Sequence, residues 1–371
     1  MTSILVTGIT GNVGVELLRV LVRTRPNDQV RLLIRARDAK ELAVRWKQTL
    51  SAAVGDTVRA EDLPGFSPVR GDVSVPGLAL EPRELEGIES ETTHIVNSAS
   101  LTNFAATSAL LTPVNVAGLE HVLAVAKNCR RLEAFAQLST CFAAGRRQGR
   151  ILEDDLEHDA GFTNAYEQSK YTAEHTARLA MRDLPLSVYR LSLLVGRSDG
   201  YIHNSGAFHY FLDRLYAGMF PLIPGNSEAR FDLLPTDYAV EVVTALCFER
   251  FQAGKTYHIA AGDSAPRTGD WLKATTDLFM DISPAWKSGA HVPPEIVNLA
   301  TYKALVDTVH TVGNKTLAHM LKVIDSIAEY PLSTKVFDRQ SVLDALGDSL
   351  PVPAFETYYP AIVARATRVA A

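Results

Sequence analysis

The sequence predicts an α/β fold, a Rossmann-type doubly wound parallel sheet with a smaller, mainly helical C-terminal substrate-binding subdomain. Three observations lead there. The chain opens on a short branched apolar run, Ile4-Leu5-Val6, which breaks into Gly8, Gly11 and Gly14 and then into the helical pattern from Val15 to Leu21. Short apolar runs and amphipathic stretches then alternate without internal repeats or low-complexity tracts, as βαβ units do. Past Gly269 the alternation gives way to helix-period apolar stripes.

The totals agree with a folded enzyme of two lobes. The 371 residues are 47% hydrophobic and 21% charged, which is too apolar for disorder. A formal net charge of -5 gives no general attraction to nucleic acid or an anionic membrane. Cys129, Cys141 and Cys247 are odd in number and far apart, so neither a disulfide framework nor a zinc motif is expected. A buried strand directly after the N-terminus leaves no room for a signal peptide. No run is expected to reach the ~18 apolar residues of a membrane helix, and a cytoplasmic location follows as the default.

Element by element, Ile4 to Val6 reads as a buried strand and the three glycines as a nucleotide clamp. Gly8 permits the turn, Gly11 lets a backbone N–H approach a pyrophosphate, and Gly14 lets the helix pack closely, with the phosphates on the helix N-terminus. The spacing is Gly-x-x-Gly-x-x-Gly, which departs from the usual Gly-x-Gly-x-x-Gly. Val30 to Ile34 is a second strand ending in Arg35-Ala36-Arg37. Arginine at that place accommodates a 2′-phosphate, where an acid would take the ribose hydroxyl, so NADP is favoured over NAD. Lys40 to Val54 reads as a helix, and Pro68 to Val73 as a strand end at which Asp72 either meets the adenine amino group or closes a turn.

His94 to Asn97 is a strand followed by the small residues Ser98, Ala99 and Ser100, which let the chain pass close to a cofactor. Asn115 to Ala126 is helical. Ala134 to Leu138 delivers Ser139-Thr140-Cys141 at a carboxyl end, where open α/β sheets place their ligands. Tyr166 and Lys170, four apart, share a helix face, and an adjacent ammonium favours the phenolate of a tyrosine whose ordinary pKa is ~10.

These pieces resemble the extended short-chain dehydrogenase/reductase family: TGxxGxxG from Thr7 to Gly14, Asn115 opening its helix, Ser139-Thr140, and YxxxK from Tyr166 to Lys170. Within it, the runs from Leu32 to Ala36, Gly71 to Leu80, Val96 to Phe104 and Asn115 to Ala126 look most like the thioester reductase and fatty acyl reductase (male-sterility-like) branch. The likeness covers residues 1–265.

The resemblance implies NADPH, held by Gly8, Thr10, Gly11, Asn12, Val13, Gly14, Arg35, Arg37, Asp72, Val73, Ser98, Ala99 and Ser100 together with Tyr166 and Lys170. It implies Thr140, Tyr166 and Lys170 as a catalytic triad with Asn115 in support. It also implies a small-molecule acyl substrate, presented by a separate acyl carrier protein or by coenzyme A. Two departures stand out. Asn12 occupies a place where this branch has an aromatic residue, and Leu191-Ser192 follows Arg190 without the usual proline. Other readings stay open, namely a reductase of a free ketone, aldehyde or sugar-like substrate, and a non-catalytic NADP sensor. Tyr166 with Lys170 argues against the sensor.

The division expected is an NADP-binding domain over 1–195, with 230–262 returning to it, and a substrate-binding subdomain over 196–229 and 263–371. His258 reads as a structural strand histidine. Ile296, Leu299 and Ala300 mark one helix face, and Leu317, Met320, Leu321, Ile324 and Ile327 another. The tail from Pro353 to Pro360 is expected to fold over the site as a lid. Arg146, Arg147 and Arg150 read either as contacts for a carrier's phosphates or as a solvated loop. Cys141 has no paired histidine and is not expected to be a nucleophile. The sequence carries no signal of oligomeric state.

Overall fold

In the computed structural model, which describes residues 2–313 and 330–368, a seven-stranded parallel sheet forms the body of the molecule. In chain order its elements are β1 (Ser3–Thr7), α1 (Asn12–Thr24), β2 (Gln29–Ile34), α2 (Ala39–Val54), β3 (Phe66–Arg70), α3 (Pro82–Glu91), β4 (His94–Asn97), α4 (Ser108–Asn115), α5 (Ala117–Asn128), β5 (Ala134–Thr140), α6 (Ala165–Ala180), β6 (Leu186–Leu191), α8 (Thr236–Phe248) and β7 (Thr256–Ile259), with α7 (Ala207–Tyr216) inserted before α8. The spatial order is β7-β6-β5-β4-β1-β2-β3. The order reverses beside β1, and a crevice opens there at the carboxyl ends of β1 and β4.

Strand alternation divides the core. Ile4 and Val6 face one layer with Leu17, Leu21, Val240 and Val243, which come from α1 and α8. Leu5 faces the other with Ile95, Phe135, Leu119, Val122, Ala173 and Ala177, from α5 and α6. Because helices cover both faces, β1, β5 and β6 are buried along their whole length, and each fully buried Leu, Ile or Phe contributes ~1.5–3 kcal/mol.

A separate aromatic-rich core holds the smaller lobe. Phe208, Phe211 and Leu212 of α7 pack there with Trp271 and Phe279 of α9 (Thr268–Ile282) and Tyr302 of α10 (Leu299–Val312). The stripe from Leu317 to Ile327 lies outside the described residues.

Beyond the second gap the chain divides between the two lobes. Val336–Phe337 pairs in parallel with Arg150–Ile151, and α11 (Gln340–Leu346) packs Val342 into the core shared with α8 and β7. Residues 336–352 therefore lie against the sheet and not with the helical lobe. The tail is not a lid. It forms α12 (Phe355–Arg368), whose Tyr358, Tyr359, Ile362 and Val363 are buried in the smaller lobe's core, and Tyr359 shares a hydrogen bond of 2.7 Å with Thr275. Its aromatic pair and the aliphatic pair a turn later make one apolar stripe, which burial against α7 and α9 satisfies.

One further expectation changes. Residues 108–128, taken together, are long and apolar enough to cross a membrane by length and composition. They are bent at Val116, where α4 meets α5, and Leu119, Val122 and Val125 pack on the sheet.

Candidate active site

The glycines of the clamp act in three ways. Gly8 has φ +71°, in the left-handed region, and a Cβ there would stand 2.5 Å from the Ala99 nitrogen. A Cβ on Gly14 would stand 2.3 Å from the Gly8 carbonyl oxygen, so Gly14 packs on the turn itself and not on the sheet. Gly11 meets nothing nearer than 3.5 Å and is the N-cap of α1 with no side-chain cap. The first N–H groups of α1 thus face the crevice with no acidic side chain in the first turn, which suits an anionic phosphate. Thr10 and Val13 flank them half-buried.

Asn12 is turned away from the crevice. Its amide donates to the Asn204 carbonyl at 2.9 Å and accepts from the Asn204 N–H at 2.8 Å, tying α1 to the loop before α7. Arg197 reinforces this link through Glu16 at 3.2 Å.

A polar ladder runs beneath the crevice floor. The Thr7 hydroxyl donates to Asn97 and accepts from the Ala99 N–H, Asn97 donates to Gln137 at 2.7 Å, and Gln137 donates to the Leu138 carbonyl at 2.8 Å. The ladder fixes Ser98, Ala99 and Ser100 across the strand ends. At the end of β2, the Arg35 guanidinium is exposed and has no hydrogen bond or ion pair among the described residues, whereas Arg37 is held by Glu41 at 2.8 Å. Asp38, the first acid after the strand, is spent as the cap of α2. Asp72 closes a turn by accepting from the Ser74 N–H and hydroxyl at 2.9 and 2.7 Å. Val73 is buried, and its carbonyl meets His121.

Thr140, Tyr166, Lys170 and Asn115 converge on the carboxyl end of β5, all of them buried. Thr140 accepts from the Phe142 N–H and donates to the Leu191 carbonyl, each at 3.2 Å. Burial pushes the Tyr166 phenol well above its ordinary value, the Thr140 hydroxyl draws it partly back, and Glu167 raises it further. The Lys170 ammonium, expected to acidify the phenol, is not among these influences. It donates to the Leu138 carbonyl at 3.1 Å, and burial lowers it to about 8 against the opposing pull of Glu174.

Asn115 ends α4 and uses its whole amide. It accepts from the Leu101 N–H at 2.7 Å and from Ser100, and it donates to the Leu101 carbonyl and to Ser169 at 2.9 Å. It thereby joins the cofactor-side chain at 100–101 to the helix bearing Tyr166, which makes it a positioning residue.

Several contributors carried no usable sequence signal. Phe104 stacks edge-on against Tyr166 with ring centroids 5.0 Å apart, and Phe142 and Tyr330 pack on Phe104. These rings open into an apolar pocket walled by Phe208, Phe211, Phe231 and Trp271, with Arg230, Asp232 and Lys335 as its acidic and basic members among the described residues. Behind Thr140 and Lys170, Ser139 donates to Glu174 at 2.7 Å, and Glu174 pairs with the buried Arg190. Only the i, i+4 spacing of Glu174 from Lys170 could have pointed to it.

Arg147 is paired with Asp155 at 2.6 Å and Arg150 with Asp263 at 2.9 Å, so this loop is engaged within the chain. Burial pushes the Cys141 thiol well up, which leaves it unreactive. Among the described residues no group of His, Cys, Asp and Glu could hold a metal.

A doubly wound sheet with a glycine clamp at its switch point and a Thr-Tyr-Lys set beside it defines the extended short-chain dehydrogenases/reductases, a class of nicotinamide-dependent oxidoreductases. Within that class, the chain belongs to the family described as male sterility protein, whose profile matches residues 6–243. It is 28% identical over 265 residues to one of the proteins that make up linear gramicidin synthase in Brevibacillus parabrevis, covering 69% of this chain and 5% of that protein. It is 25% identical over 272 residues to a putative fatty acyl-CoA reductase of Drosophila melanogaster, covering 64% of this chain and 50% of that protein. The chain thus spans half or less of the length of these curated relatives. The terminal R domain from the myxalamid PKS-NRPS biosynthetic pathway superposes with a TM-score of 0.78 at 23% identity, covering 99% of this chain and 92% of that one, a likeness of fold.

Proposed function

We propose that the chain reduces the carbonyl of an acyl thioester, bound to coenzyme A or to a carrier protein, with NADPH as the reductant. The observation that carries this reading is the convergence of buried Thr140, Tyr166 and Lys170 at the carboxyl end of β5, beside an aromatic pocket at the carboxyl edge of the sheet. The name of the Drosophila relative supports the thioester part, since an acyl-CoA is a thioester. Arg35, unpaired at the end of β2, supports the 2′-phosphate.

The residues present fit the dinucleotide. The open Gly11 position and the uncapped start of α1 would hold the pyrophosphate, and the chain at 98–100 would border the nicotinamide side. When bound, the nicotinamide supplies a hydride to the carbonyl carbon. Thr140 Oγ1 and Tyr166 Oη would hydrogen-bond the carbonyl oxygen as negative charge develops on it, and Tyr166 Oη would give it a proton. Lys170, charged near neutrality, would oppose the charge left on the phenol. Loss of the thiol from the resulting hemithioacetal leaves an aldehyde, and a second hydride would give the alcohol.

The test measures NADPH and NADH oxidation with acyl-coenzyme A, an acylated carrier protein and a simple ketone or aldehyde in parallel. Thioester-dependent oxidation of NADPH is expected, and oxidation with the ketone alone would sink the proposal. Tyr166→Phe is expected to lower turnover by ~10² to 10⁴ with NADPH affinity nearly unchanged. Full retained activity would remove Tyr166 as the acid.

A further inference from the structure

The acyl pocket contains one cation that no described carboxylate pairs with. Asp232 is spent, since one carboxylate oxygen accepts from Ser192 at 2.6 Å and from the Ala261 N–H at 2.9 Å, and the other accepts from the Gly262 N–H at 2.7 Å. Lys335 faces the buried carboxyl of Glu167 and draws it down. Arg230 is different. One of its terminal nitrogens donates to the Ala265 carbonyl at 2.6 Å, and its other two nitrogens have no partner among the described residues. No described carboxylate lies within ion-pair distance of it, and its sequence neighbour Glu228 is committed to Arg267.

The guanidinium is nonetheless well placed. Its backbone bridges that of Arg267, the Ala265 bond fixes the side chain, and Phe231 beside it packs on Trp271 at 4.8 Å. The open nitrogens of Arg230 are not sealed in the core, and a planar fork with open donors beside aromatic walls matches a carboxylate that enters the pocket.

Resting on the thioester reading above, we infer that this pocket selects acyl groups whose far end carries a carboxylate, with Arg230 as the group that binds it. The aromatic walls take the methylene chain and Arg230 takes the terminal oxyanion. The carboxyl to be reduced and the carboxylate to be recognised are thus at opposite ends of one acyl group.

The experiment compares matched tails, octanoyl against suberoyl and decanoyl against sebacoyl, in three series. These are N-acetylcysteamine thioesters, which carry no phosphate, coenzyme A thioesters, and the corresponding free aldehydes. In the wild-type protein kcat/KM for the carboxylate-ended member is expected to exceed that of its methyl-ended partner by about tenfold or more in the phosphate-free series. Arg230→Met should bring that ratio to one or below, Arg230→Lys should restore part of it, and Arg267→Gln should leave the ratio in place.

A wild-type ratio at or below one would overturn the inference. So would a loss in Arg230→Met that follows the coenzyme A phosphates whatever the tail. If thioesters are inert while aldehydes are turned over with the tail preference intact, the thioester reading fails and the pocket assignment stands. Should Arg230→Met not fold, quenching of Trp271 fluorescence in the wild-type protein decides the matter. Suberate monoamide is expected to bind more tightly than octanamide, and equal or weaker binding would overturn the inference.

Discussion

Lys170 loses its proton within the pH range of ordinary assays, because burial brings it to about 8 while Glu174 limits the fall. For a base, the charged form prevails below that value and disappears as pH rises through it. If the ammonium supports Tyr166, kcat/KM for NADPH, which reports the free enzyme, should decline above about pH 8. Lys170→Arg should move that decline upward, since a guanidinium does not titrate there, at a lower maximal rate. A wild-type profile flat through pH ~10, the ordinary lysine value, would show that the charge at 170 is not used. Tyr166 behaves oppositely, since burial keeps its proton on across the same range, as a proton donor requires. At this scale the sequence was informative where position follows local spacing: Tyr166 and Lys170 share one face of α6 because they are four apart, although the Lys170 ammonium goes to the Leu138 carbonyl. Phe104, Tyr330 and Arg230 were not legible, because each reaches the site by tertiary packing that no local period encodes.

The start of α1 shows how one motif distributes different physical tasks among like residues. Gly14→Ala would drive a methyl into the Gly8 carbonyl and the Ile9 backbone, neither of which can turn aside, so a loss of ~1–3 kcal/mol or more is expected in urea unfolding. Gly11→Ala meets only ordinary contact and should fold with its midpoint nearly unchanged, yet weaken NADPH binding by about tenfold, as seen by titration. Equal effects of the two substitutions on stability would refute this division. Asn12, out of place by family pattern, finds its reason across the chain in Asn204. Asn12→Ala removes two exposed hydrogen bonds. It should destabilise the protein by only ~1 kcal/mol while speeding amide exchange at Asn204, and unaltered exchange there would count against the link. The sequence marked Asn12 as a departure but could not supply its partner, because the pair spans the two lobes.

Over the whole molecule, much of the strand–helix alternation through β7 was readable because central strands such as β1 and β5 are buried along their length and helices such as α1 carry an apolar stripe. The C-terminal third was less so, since 336–352 and α12 choose between two cores by contacts that composition does not distinguish. One buried network spans the elements involved. Arg190, at 2% exposure, binds Glu174 at 2.6 Å, the Asp155 carbonyl at 2.7 Å and the ring of His258 at 2.9 Å. Burial, aided by Arg190, lowers His258 to about 3, so the ring is neutral, and its other nitrogen meets the Asp338 carbonyl at 2.8 Å. That fits the structural role expected of His258 and connects α6, β6 and β7 to the returning C-terminal segment. Arg190→Met would leave the fully buried Glu174 with Arg178 as its remaining ion-pair partner and Ser139 as a donor, and should destabilise the protein by ~3–5 kcal/mol in urea unfolding. Adding Glu174→Met removes the stranded charge, so the double variant should recover a substantial part of that loss. If the two losses simply add, the pair is not coupled and the network does not tie the returning C-terminal segment to the sheet as argued.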